Sequence, residues 1–127
     1  MQAYLLVFLG AGLGGTLRHT VNLLAARLLG TNFPWGTFLI NISGSLVMGL
    51  LAGFLAFRTG ANWTQHARLF LLTGVLGGYT TFSAYSLDSA LLFERGELLM
   101  AAAYVGGTVA LAMAGVFSGL FIARALS

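Results

Sequence analysis

The chain has 127 residues, of which 58% are apolar and only 7% charged, where a water-soluble domain carries roughly a quarter charged. That deficit excludes an ordinary solvated surface, and the lack of cysteine excludes disulfides. The formal charge is +3, but the six basic residues are all arginines set singly along the chain, so no basic stripe forms and nucleic acid is not an expected partner.

Four apolar stretches are long enough to cross a bilayer, which takes about 20 residues as a helix. We expect an all-α integral membrane protein: a single four-helix transmembrane domain over 1–127, with spans at about 3–29, 35–57, 68–93 and 98–125. Residues 1–9 lack a basic start, so no cleaved signal peptide is expected.

The first span is the least regular, because its apolar run stops at Leu17, before Arg18 and His19. Arg18 either snorkels to the headgroups or lines an aqueous vestibule. GAGLGG at 10–15 fits a dinucleotide-binding glycine pattern in letters only. That motif needs a preceding strand and an acid about 20 residues later, and no acid precedes Asp88.

Pro34 and Trp35 open the second span at a predicted water boundary. Within it lies Asn41, an amide that must find partners in hydrocarbon. It either bonds to a neighbouring helix or donates into an anion path, with Ser45 following on the same face. Trp63, in the 58–66 loop, marks another predicted boundary.

The third span carries TGVLGGYTTFSAYSLD at 73–88, the most informative stretch of the chain. We expect the helix to break at Gly77-Gly78, making a broken third helix. Unwound backbone in a membrane is tolerated where protein buries it or where it faces a polar cavity. After the break, Phe82 and Tyr85 share a face, and Thr80, Thr81, Ser83 and Ser86 surround them with hydroxyls. Ring edges are electropositive and attract a small anion without a formal charge. Asp88, at the end of the stretch, can be an ion-pair partner or a helix-end residue. In the fourth span Tyr104 and Thr108 lie one turn apart, either lining a conduit or joining helices, and Ala112 ends that polar track.

Glycines four apart recur as Gly10/Gly14, Gly49/Gly53, Gly74/Gly78 and Gly115/Gly119, the spacing that lets helix backbones approach closely in lipid. Four spans place Arg58, Arg68 and Arg124 on one face and Arg27 and Arg95 on the other, which Arg18 can join, a balance of three against two or three. A bias so slight does not fix orientation. We therefore expect insertion both ways round and antiparallel pairing of two copies. The isolated His19 and His66 do not make a transition-metal site, and Ser, His and Asp lack any triad context, so no enzyme is expected.

GTFLINISG at 36–44 and the GG-x-TTFS core of 77–83 resemble the Fluc (CrcB) family of fluoride channels, and GAGLGGTLRH at 10–19 fits that family's first helix. The resemblance runs through all four spans. It implies an antiparallel dual-topology homodimer in the bacterial inner (plasma) membrane, with fluoride as the permeating ion. It also implies a structural sodium ion held by the backbone carbonyls of Gly77 and Thr80. Pore positions map onto Asn41, Phe82, Tyr85, Arg18, Tyr104 and Thr108, with the hydroxyls of Thr81 and Ser83 beside them. Tyr85 departs from the family's second pore phenylalanine, and Ala112 from a position that is usually polar. The expected function is passive fluoride export. Two other classes fit the composition: a coupled drug or cation exporter, which would need an intramembrane carboxylate, and a purely structural membrane subunit.

Overall fold

The computed structural model describes residues 1–56, 58 and 60–126, and every regular element among them is helical. Phe57, the expected end of the second span, lies outside the described residues, as do Thr59 of the following loop and Ser127. Helix α1 spans Gln2–Leu29 and α2 spans Trp35–Ala56. A continuous rod follows, made of α3 (Thr64–Ala67), a π-helical segment (Arg68–Leu76) and α4 (Gly77–Tyr79). Then come α5 (Phe82–Glu94) and α6 (Leu98–Ala125).

Local chemistry accounts for the ends. Pro34 precedes α2, where its missing N–H costs nothing, and its carbonyl accepts the Phe38 N–H. The α5–α6 turn closes on Gly96 at φ 80°, where its N–H reaches the Phe93 carbonyl and the Glu97 N–H reaches that of Leu92. That double closure needs a left-handed residue, which glycine adopts without strain. The rod starts at Thr64, four residues earlier than expected, and the Thr64 hydroxyl donates to the Arg58 carbonyl.

The glycine pairs meet one another. A Cβ on Gly10 would lie 2.9 Å from the Gly74 Cα, and one on Gly78 would lie 2.8 Å from the Ala11 Cα, so α1 and the rod touch backbone to backbone. A Cβ on Gly119 would lie 2.6 Å from the Leu50 nitrogen, and one on Gly53 would lie 2.7 Å from the Ala123 Cβ, so α2 and α6 do the same. In both pairs the contacts advance together along the two sequences, so each pair runs parallel. Arg58, Arg68 and Arg124 therefore share one end of the bundle, while Arg27 and Arg95 lie at the other.

Two of the described helices, α2 and α6, are long and apolar enough to cross a membrane. Their lengths of 22 and 28 residues correspond to about 33 and 42 Å, against a hydrocarbon core of about 30 Å. Much of the outer surface is apolar, including Tyr4, Phe8, Leu99, Phe117 and Phe121. Contiguous apolar surface of that kind demands lipid or another protein surface against it. Among the buried apolar residues, Tyr85, Leu92, Ala101 and Tyr104 form one cluster, with Phe33, Phe38 and Met100 packed around them.

Candidate ion pathway

The chain leaves helical geometry at Thr80 (φ −79°, ψ 157°) and Thr81 (φ −151°, ψ 118°) before α5 begins. Gly77 itself is helical, at φ −62° and ψ −37°. The interruption thus falls after the glycines, not at Gly77-Gly78 as expected. The physical reason is that Gly78 is needed for the close approach of α1, while the two threonines carry the extended backbone.

Asn41 of α2 holds this extended pair. Its Nδ2 donates to the Thr81 carbonyl at 3.0 Å, and its Oδ1 accepts the Thr81 N–H at 2.9 Å. One side-chain amide thus serves both backbone groups of a residue that has left the helix. Of the two readings of Asn41, the interhelical bond is present, and one Nδ2 proton remains for another acceptor. The Thr81 hydroxyl caps α5 by accepting the Ala84 N–H at 3.2 Å. Thr80 turns its hydroxyl back to the Leu76 carbonyl, and its methyl fits against Gly44, where any Cβ would collide with it.

These bonds free two carbonyls. In a continuing helix Gly77 O would accept from the Thr81 N–H, which goes to Asn41 instead. Thr80 O would accept from the Ala84 N–H, which goes to the Thr81 hydroxyl. Both are neutral, hard oxygen donors.

Around the interruption lies an open groove of about 390 Å³ between α2, the α4–α5 junction and α6. Asn41, Thr80, Thr81, Phe82, Tyr85 and Thr108 all line it, and no charged side chain does. Phe82 is 77% exposed, with its ring centroid 5.4 Å from that of Tyr85. The Tyr85 ring is buried against Tyr104 at 5.3 Å, and its hydroxyl donates to the Val105 carbonyl at 2.9 Å. That hydroxyl is therefore directed into α6 backbone. Thr108 is only 5% exposed, and its Oγ1 has no hydrogen-bond partner among the described residues.

Four expected residues lie off the groove. Tyr104 is fully buried behind Tyr85 and donates to Asp88 Oδ2 at 3.3 Å. Ser83 is exposed beside it, 3.2 Å from the Thr81 hydroxyl, Gly77 is exposed on α4, and Arg18 is half-buried on α1. Sequence reasoning missed Gly44, Met48, Val109, Met113 and Val116, which also line the groove. The helical period held the signal: 41, 45 and 48 share one face of α2, and 109, 112, 113 and 116 one face of α6.

Residues 5–120 match the family described as CrcB-like protein, Camphor Resistance (CrcB). The chain is 63% identical over 126 residues to a protein of Rhodopseudomonas palustris (strain BisB5) named "Fluoride-specific ion channel FluC", covering 99% of this chain and 100% of that protein. It is 64% identical over 124 residues to "Fluoride-specific ion channel FluC 2" of Nitrobacter hamburgensis (strain DSM 10229 / NCIMB 13809 / X14), covering 98% of each. It is 55% identical over 127 residues, the full length of both, to "Fluoride-specific ion channel FluC" of Beijerinckia indica subsp. indica. With its apolar helices and a match across nearly its whole length, this membrane protein belongs to the CrcB family.

Proposed function

We propose that the chain forms a fluoride-selective channel that lets fluoride leave the cytoplasm passively. The observation that carries this reading is the uncharged groove, where amide and hydroxyl donors meet a pair of aromatic rings beside an interrupted helix. The names of the relatives specify the ion. A dehydrating anion needs donors to replace its water. The free Asn41 N–H, the Ser45 hydroxyl and the unpartnered Thr108 hydroxyl can supply them. Phe82 adds a ring edge at the mouth. Tyr85 contributes its ring alone, since its hydroxyl is engaged.

The working form in this reading is an antiparallel, dual-topology homodimer with four passes per chain in the bacterial inner (plasma) membrane. The near-even arginine distribution between the two ends supports it, as do the extensive apolar outer faces. The rod and α5, joined through Thr80 and Thr81, make up the third pass. A C-terminal reporter should appear on both sides of the membrane; appearance on one side alone would refute dual insertion.

The freed carbonyls of Gly77 and Thr80 fit a structural sodium ion, because neutral hard oxygens suit a hard monovalent cation. When bound, such an ion would supply a fixed positive charge near the anion's route without a charged side chain in the groove.

The test is fluoride efflux from proteoliposomes, read with an ion-selective electrode. Wild type should empty the vesicles and Phe82→Ile should abolish the flux. Undiminished efflux from that variant would remove Phe82 from the mechanism, and no efflux from wild type would refute the channel.

A further inference from the structure

Helix α2 grips the interrupted segment at three consecutive residues. Asn41 holds both backbone groups of Thr81, at 3.0 and 2.9 Å. The Ser43 hydroxyl donates to the Ile40 carbonyl and lies 3.0 Å from the Tyr79 hydroxyl. Thr80, between those two in sequence, sets its methyl against the buried Gly44. Gly49 and Gly53, further along α2, face Val116, Leu120 and Ala123 of α6 instead.

The fit at Gly44 has no slack. Thr80 is β-branched and stiff at χ1. Its hydroxyl donates to the Leu76 carbonyl at 3.0 Å, so the methyl cannot swing aside without giving up that bond. A Cβ on Gly44 would collide with the Thr80 Cγ2. Non-bonded carbons settle about 3.5–4.0 Å apart, so α2 and the interruption would have to separate. The Asn41 bonds cannot follow, because N–H···O bonds reach to about 3.2 Å. The Tyr79 Cδ2 would lie 3.2 Å from the same Cβ, a contact that a few tenths of an ångström relieves.

On the channel reading, we propose that Gly44 is a positioning residue for fluoride passage. Its bare Cα is a socket sized for one methyl group, and the seated methyl sets how closely Thr80 and Thr81 approach α2. That spacing keeps the Asn41 amide on the Thr81 backbone and so fixes one wall of the groove. Gly44 offers the ion no donor of its own and acts through Thr80.

A double-mutant cycle tests the socket, because Thr80→Ser removes the colliding methyl and keeps the hydroxyl that bonds the Leu76 carbonyl. Efflux from proteoliposomes should fall at least tenfold with Gly44→Ala in the wild-type background, and less than threefold in the Thr80→Ser background. Amide hydrogen exchange at Thr81, followed by NMR in micelles, should quicken at least tenfold with Gly44→Ala and return toward the wild-type rate in the double variant. The amide of Leu120, packed beside Gly49, should keep its rate, which a general loss of stability would raise as well. Equal losses of efflux in both backgrounds, exchange raised equally at Thr81 and Leu120, or wild-type behaviour of Gly44→Ala would each overturn the proposal. If Gly44→Ala does not fold, a folded and conducting double variant supports the socket, and a double variant that fails where Thr80→Ser folds overturns it. Wild-type protein without efflux would refute the channel instead, and exchange at Thr81, which needs no flux, still judges the socket.

Discussion

Replacing Asn41 with leucine keeps the branched, four-heavy-atom shape of the side chain and removes the clamp on Thr81. Two hydrogen bonds are lost, of 3.0 and 2.9 Å, and the N–H and C=O of an extended, buried residue are left without partners. Each orphaned backbone group costs about 1–3 kcal/mol, so Asn41→Leu should destabilise the fold by about 2–6 kcal/mol. Water in the open groove can satisfy one group, which favours the lower half of that range. Efflux should fall at least tenfold, because Thr80, Thr81 and the α5 cap are all positioned by those two bonds.

Asn41→Asp separates the parts. A carboxylate still accepts the Thr81 N–H but faces the Thr81 carbonyl with no donor, and it places a negative charge on the groove. Stability should fall less than in Asn41→Leu, while efflux should fall at least as far. The assays are unfolding in mixed micelles by detergent titration and electrode-read efflux from proteoliposomes. An Asn41→Leu variant with a wild-type unfolding midpoint and wild-type efflux would refute the clamp.

Tyr85→Phe deletes only the bond to the Val105 carbonyl, so stability should drop by about 0.5–1.5 kcal/mol while efflux persists; lost efflux would place the hydroxyl on the ion's route. Thr108→Val removes a buried hydroxyl that has no hydrogen-bond partner among the described residues, so the unfolding midpoint should hold or rise while efflux slows. A loss of unfolding free energy of more than about 1 kcal/mol would mean that the hydroxyl is bonded in the protein. Gly12 and Gly14 make a paired test by the same unfolding titration. A Cβ on Gly12 meets nothing within 4 Å, whereas one on Gly14 would strike the Val75 carbonyl and come within 2.8 Å of the Tyr79 nitrogen. Gly12→Ala should be neutral or stabilising by up to about 1 kcal/mol, and Gly14→Ala should part α1 from the rod and cost about 1–3 kcal/mol or more.

Much of the packing could be read from spacing, because glycines four apart leave a groove on one helix face that a second backbone can enter. Which pair meets which could not be read, since it depends on how the helices assort. The interruption was misplaced for a related reason. A Gly-Gly step reads locally as a breaker, but Gly78 is spent on contact with Ala11. The true site depends on Asn41 taking the Thr81 N–H across 40 residues of sequence, which no local window contains. A local signal did exist in Thr81, an N-cap residue at the start of a new helix. Helical period and the family resemblance both group Tyr104 with Thr108 on one polar track. The aromatic cluster buries Tyr104, and its hydroxyl turns to Asp88. The π-helical segment left no trace in composition.

The absence of charge from the groove carries its own consequence. An arginine 4 Å from a bound anion contributes about 4 kcal/mol at an effective dielectric of 20. At 1.4 kcal/mol per decade, that lengthens the residence of the ion by nearly three orders of magnitude. Arg18, the one arginine near the middle of a described helix, does not line the groove, and no other arginine does. Uncharged donors instead hold an anion through several weak contacts, each of which can be exchanged for the next along the path. Introducing a cation should therefore convert passage into binding: Ser45→Arg is expected to slow efflux while strengthening fluoride binding measured by calorimetry. Faster efflux with that variant would show that electrostatic entry limits the flux rather than release, and would overturn the account of why the groove is neutral.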